Sequence, residues 1–152
     1  MQTSHFADTF LMFVPVIFAL IWIGTSYMLA LVSGWMELAK VYGSDKLCTG
    51  KVWRFQSMRL WPANYNGCVN IGTDFDGVCL YLFFLFRAGH RPLFISWSDI
   101  TAVRKVKRIR IFNYVELSLA QCPSVKICID ERLAARLVEA SNGKVSIPGI
   151  GK

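Results

Sequence analysis

The run FLMFVPVIFALIWIGTSYMLALV, residues 10–32, constrains this chain more than any other feature: it is 23 residues long and carries no formal charge. As a helix rising about 1.5 Å per residue it reaches about 34 Å, enough to cross a hydrocarbon core of about 30 Å with some tilt. Pro15 lies near its start, where a kink disturbs least. Gly24, Thr25 and Ser26 make a small, weakly polar patch in its second half. Such a patch permits close helix approach in lipid, although simple tolerance accounts for it equally well. The nine residues before the run hold Asp8 and no Lys or Arg, and no small-x-small cleavage site follows it. The run is also longer than the apolar core of a signal peptide, so it reads as a retained anchor.

All 17 Lys and Arg lie after the run, beginning with Lys40, Lys46, Lys51 and Arg54, and the net charge is +7. The positive-inside rule places the N-terminus outside and the following domain in the cytoplasm. The cysteines Cys48, Cys68, Cys79, Cys122 and Cys128 are odd in number and show no CxxC spacing. That usage suits a reducing compartment, with Cys acting as a small buried hydrophobe. A basic domain tethered to a cytoplasmic leaflet gains about 1 kcal/mol per Lys or Arg near anionic headgroups, so part of the charge needs no specific partner.

Beyond the run, Trp35, Leu38, Ala39 and Tyr42 share one face at helical spacing, which predicts a helix leaving the bilayer with its aromatics at the interface. Residues 43–51 read as a linker. Period-two or short apolar runs then predict seven strands, at 52–60, 68–73, 78–86, 93–97, 102–111, 114–120 and 125–129. Residues 61–67, the DFDG turn at 74–77 and the RAGHRP loop at 87–92 separate the first four. The period then changes to helical in DERLAARLVEASNG, with Asp130 as N-cap, Leu133, Leu137 and Val138 on one face, and Asn142-Gly143 as the stop. The expected fold is therefore one N-terminal transmembrane helix plus a mainly-β sandwich or partly open barrel of about seven antiparallel strands, capped by a C-terminal helix. The predicted organisation is an extracytoplasmic 1–9, a span at 10–32, a juxtamembrane segment at 33–50, a β-domain at 51–142 and a mobile tail at 143–152.

This order resembles the pleckstrin-homology-like superfold, including its bacterial PH and GRAM-like branches. More narrowly, RFQSMRL, NGCVNIGTDFDGVCLYLFFLF and RAGHRPLFISWSDI look like segments of small bacterial membrane-anchored proteins with such a domain. The resemblance covers roughly residues 50–140 and implies a fold, with no assigned chemistry. PH-like domains often bind phosphorylated headgroups, but the ligand motif of that family is not recognisable here, so no ligand residue carries over.

Three constellations stand out. The basic run Arg104, Lys105, Lys107, Arg108 and Arg110 is a candidate contact for anionic lipid or an acidic partner. Ile109, Ile111, Val115, Leu117 and Leu119 mark the odd parity as core-facing, which puts Lys105 and Lys107 where the strand leaves the core, at an edge or a bulge. Edge lysines discourage pairing with another sheet, so edge protection competes with binding. Arg87, His90 and Arg91 form a possible anion-binding loop, or a hairpin loop shaped by Gly89 and Pro92. In the run 78–86, Cys79, Tyr81, Phe83 and Leu85 make one apolar face, either covered by the fold or free to meet another subunit or the membrane surface.

Enzyme readings fare poorly. His5 and His90 are the only histidines; there is no zinc spacing, GxGxxG or P-loop, and Asp74 and Asp76 belong to a turn. No catalytic residue, metal or cofactor is expected. No helix-turn-helix or basic helix points to nucleic acid. The expected protein is a single-pass bacterial inner-membrane protein acting as a non-catalytic adaptor or accessory subunit, partnered by membrane lipids and a membrane-protein complex. Homo-oligomerisation is open. An anionic-lipid-surface module is the alternative, and an enzyme with an unrecognised site a further one.

Overall fold

The apolar run lies within one helix, α1 (Gln2–Val32), of 31 residues. A core helix of a soluble domain would be largely buried. Here Leu11–Val32 is long and apolar enough to cross a membrane, and 11% of its most apolar window is buried against the rest of the chain. The computed structural model describes residues 2–46, 48–107 and 113–145, with side chains from Leu11 onward apart from residues 102, 106, 107 and 113.

α1 stops at Gly34, whose φ of +78° suits only glycine comfortably; a Cβ there would also lie 3.0 Å from a Val125 methyl. The chain turns into α2 (Trp35–Tyr42), whose Trp35, Leu38 and Tyr42 are buried. The helical face was read correctly and its destination was not. Trp35 is fully buried, its Nε1–H donating to Arg91 O at 2.9 Å, so these aromatics anchor the helix to the domain rather than to the bilayer interface.

Seven strands follow: β1 (Val52–Leu60), β2 (Ala63–Thr73), β3 (Gly77–Leu82), β4 (Leu93–Ser96), β5 (Ile100–Lys107), β6 (Asn113–Leu119) and β7 (Lys126–Asp130). They form one antiparallel sheet in the order β4-β3-β2-β1-β7-β6-β5. The sheet curls into a nearly closed barrel, with β1 joining its two halves through β2 and β7. Alternate residues point inward, as Ile127 and Ile129 do on β7 and Val115, Leu117 and Leu119 on β6. α3 (Glu131–Ala140) packs Leu133, Ala134 and Leu137 on this core and ends in Asn142 and Gly143 at φ +50° and +84°. Asp130 holds the N-cap position, without a side-chain capping bond. The interior leaves a void of about 20 Å³ among apolar side chains, so the barrel is filled by its own residues.

Three expectations need correction. The long turn at 61–67 shrinks to Trp61 and Pro62, because β2 already pairs with β1 from Ala63. The third strand ends at Leu82, not Phe86: Gly67, at φ +63°, bends β2 away, so β3 loses its ladder partner after Val69↔Leu82. The cysteines are not uniformly reduced. Cys48 and Cys79 form a disulfide across a Cα–Cα distance of 6.0 Å, fastening the linker to β3, while Cys68, Cys122 and Cys128 are thiols.

Candidate functional site

The most organised polar region lies where the chain leaves β3 and runs along α1. Phe83 N–H still donates to Cys68 O, and Phe84–Phe86 then form a single 3-10 turn. From there the loop climbs α1 contact by contact. Trp22 Nε1–H donates to Leu85 O at 2.8 Å, and its ring meets Phe86 at 5.2 Å between centroids. Ser26 Oγ lies 3.2 Å from Phe86 O and 3.1 Å from Ala88 O. Gly89, at φ +76°, passes so close that a Cβ would stand 3.0 Å from Tyr27 and 3.1 Å from Ala30. The weakly polar patch in α1 is thus a contact point in part: Ser26 grips the loop, whereas Thr25 bonds Ile21 O within its own helix.

The loop ends in a buried polar chain. Tyr65 OH lies 2.9 Å from His90 Nε2 and 2.7 Å from Ser33 Oγ, while His90 Nδ1 lies 3.0 Å from Ala88 O. A carbonyl can only accept, so Nδ1 carries the proton and Nε2 accepts from Tyr65, which accepts in turn from Ser33. The Trp35 ring packs against both Tyr65 and His90. Burial lowers the His90 pKa, against the opposing pull of the Ala88 and Phe86 carbonyls. Burial likewise pushes the Tyr65 hydroxyl up to about 12. Both shifts favour neutral forms, as a low-dielectric site does. The Ser33–Tyr65–His90 chain is thus a neutral clamp joining the end of α1, β2 and the loop.

The three candidates of the RAGHRP loop are therefore separated. His90 is turned inward with both ring nitrogens engaged, while Arg87 and Arg91 are exposed at the lip of an open cleft. Arg91 pairs with Asp45 at 3.3 Å, an exposed contact of the kind worth about 1 kcal/mol or less. The four residues of the expected apolar face part company as well. Cys79 is buried in the disulfide and Tyr81 is half-buried on β3. Phe83 and Leu85 lie beyond the strand, Leu85 at the level of Trp22.

In the basic run, Arg104 and Lys105 are exposed on β5, which lies at the sheet edge as expected. Lys105 Nζ reaches Glu131 at 2.7 Å, and on the neighbouring strands Lys126 pairs with Glu116 at 2.8 Å. The backbone of Lys107 is the last of β5; Arg108 and Arg110 lie outside the described residues. Among the described residues no cluster of three or more His, Cys, Asp or Glu is arranged to hold a metal.

Sequence reasoning passed over Trp22, Ser33, Tyr65 and Phe55. The first three act through partners 25 to 63 residues away, which no local pattern reveals. Phe55 sits at φ +55° in an irregular stretch of β1, its N–H bonded to Asn70 Oδ1, and its ring meets Phe83 at 5.6 Å. In comparisons with known proteins the chain matches no family model, no curated protein and no solved structure.

Proposed function

We propose that this chain is a membrane-anchored, non-catalytic adaptor or accessory subunit whose PH-like domain contacts a membrane protein complex. One observation carries the reading. The loop 85–91 is bonded along α1, whereas the basic edge lies at the far end of the β5–β6 hairpin. Gln121, just past β6, donates its N–H to Tyr42 OH on α2, and the start of β6, Asn113, pairs with Lys107. The strand between them, β6, runs about 20 Å from Asn113 to Leu119 at about 3.3 Å per residue. The exposed cations of β5 are thereby held away from the bilayer that receives α1, where a protein surface reaches them more readily than headgroups do. Seven antiparallel strands and a capping helix support the PH-like identity.

The test is gentle-detergent purification of the full chain from its own membrane with mass spectrometry of what accompanies it. One stoichiometric partner, lost when Arg104→Glu and Lys107→Glu are combined, is the expected result. A folded chain that purifies alone rejects the adaptor reading. The second reading, an anionic-lipid-surface module, is favoured by Arg87 and Arg91, which flank the loop running along α1. It predicts salt-sensitive binding to anionic vesicles that Arg87→Glu and Arg91→Glu weaken.

The proposed location is a bacterial inner membrane, and the charge asymmetry favours the N-terminus outside and the domain in the cytoplasm. The Cys48–Cys79 disulfide favours the opposite orientation, since disulfides persist in oxidising compartments. Thiol alkylation in cell extract under denaturing, non-reducing conditions decides between them. Five alkylated cysteines support the cytoplasmic domain, and three, with Cys48 and Cys79 protected, reverse it.

A further inference from the structure

We infer that the aromatic turn Phe84–Phe86, together with Phe55 and Phe83, is immersed in the acyl chains of the bilayer that receives α1. The domain would then be seated in the membrane surface rather than hung from a linker. The inference rests on the membrane-anchored reading and adds a second insertion element to it.

Depth comes first. Trp22, which binds Leu85 O, precedes Val32 by ten residues, or about 15 Å of helix. The outward side of α1 is mostly apolar over that distance: Ile23, Met28, Leu31 and Val32 are 53%, 58%, 49% and 57% exposed, and the exposed Thr25 hydroxyl bonds Ile21 O. Lipid must rise to Val32 to cover them, and the turn lies well below that level. Its own exposed side chains match such a position, with Phe84 66% and Leu85 50% exposed. Leaving surfaces of this kind in water is unfavourable in proportion to the apolar area exposed.

Of the six backbone N–H and C=O groups of the turn, four meet the second requirement. Non-helical chain survives at membrane depth only where its polar groups are satisfied. Here Phe83, Phe86 and Arg87 donate to Cys68 O, Phe83 O and Phe84 O, and the Leu85, Phe86 and Ala88 carbonyls accept from Trp22 and Ser26. The charge pattern is consistent as well. Arg87 follows the turn at the level of Ser26, where a long side chain can reach toward headgroups.

Phe55 adds an independent mark. A positive φ at a bulky residue is strained, and such strain persists where the surroundings enforce it. Here it places a residue that is 57% exposed with its ring against Phe83, whose ring packs in turn at a tilt against Phe84, 4.6 Å between centroids. The result is one aromatic surface continuous with the lipid-facing side of α1. That continuity favours acyl chains as the occupant over a second copy or another protein.

The full chain in nanodiscs of mixed zwitterionic and anionic phospholipid tests this. A ketone-bearing unnatural residue replacing Leu85 takes a nitroxide without disturbing any cysteine. Parallel labels at Leu31 and Phe75 report the anchor and the far end of the domain, and a label at Phe84 guards against local distortion at Leu85. The expected result is collision with oxygen but not with a water-soluble nickel chelate at 84, 85 and 31, and the reverse at 75. Nickel access at 84 and 85 with oxygen access at 31 overturns the immersed turn and leaves the anchor standing. Nickel access at 31 overturns the anchored reading and this inference with it. Labels at 84 and 85 closed to both reagents show a protein occupant, and the lipid assignment fails.

Discussion

The loop along α1 and the basic edge of β5 are both crowded with polar groups, and they are built on opposite rules. Where the loop meets α1 and β2, His90, Tyr65, Ser33 and Ser26 are buried, uncharged and bonded to one another or to carbonyls. At the edge, Lys105, Glu131, Lys126 and Glu116 are charged and hold one another across solvent. A buried donor or acceptor has no water to fall back on, so losing its partner exacts the full desolvation penalty. An exposed ion pair that is broken is rehydrated, and salt already screens it. Position, rather than the number of polar atoms, sets what each region contributes.

The sharpest way to break this comparison is at Trp35, which supplies both the apolar wall of the clamp and a donor to Arg91 O. Trp35→Ala is expected to destabilise the domain by about 3–5 kcal/mol in denaturant unfolding of the detergent-solubilised chain. A loss under 1 kcal/mol would show that α2 is not part of the core. Tyr65→Phe keeps the ring and deletes the hydroxyl between Ser33 and His90. It is expected to lose about 1–3 kcal/mol in the same measurement, because His90 Nε2 is left without its donor. An unchanged midpoint would remove the clamp from the account.

A pH series sharpens the same contrast. Burial sets the folded His90 pKa below its ordinary 6.5, so the unfolded chain takes up a proton near that pH and the folded one does not. Stability is retained above pH 6.5 and declines as pH falls below it. Tyr65 works at the other end. The unfolded chain begins to lose the phenolic proton near pH 10.0 and the folded chain near 12, so stability declines as pH rises through that interval. His90→Phe should flatten the acid limb; an acid limb of unchanged slope assigns it to other groups. The smallest effect belongs to the edge. Lys105→Ala is expected to cost less than about 1 kcal/mol and to become neutral at high salt.

Several elements were legible because their signal is local. The apolar helix is a composition, α3 a repeat of apolar residues three and four apart, and β6 and β7 alternations of two. Even the edge position of β5 could be read, since lysines interrupt its inward parity. The end of β3 could not. The run at 78–86 is apolar throughout, and nothing within it marks that β2 bends away at Gly67, so the apolar face drawn through Cys79 and Leu85 joined residues from different structures. His90 gave no sign of its inward turn either, because its partners come from β2 and the end of α1.

The amino-acid sequence by itself therefore determined the apolar helix, the strand-rich domain, the capping helix and the charged edge, each of which depends on spacing within a few residues. Tertiary structure alone decided that Trp35 enters the core, that Cys48 meets Cys79, and that the loop after β3 lies along the second half of α1. Those outcomes depend on contacts between residues far apart in the chain, where burial and hydrogen-bond satisfaction are settled by which surfaces meet.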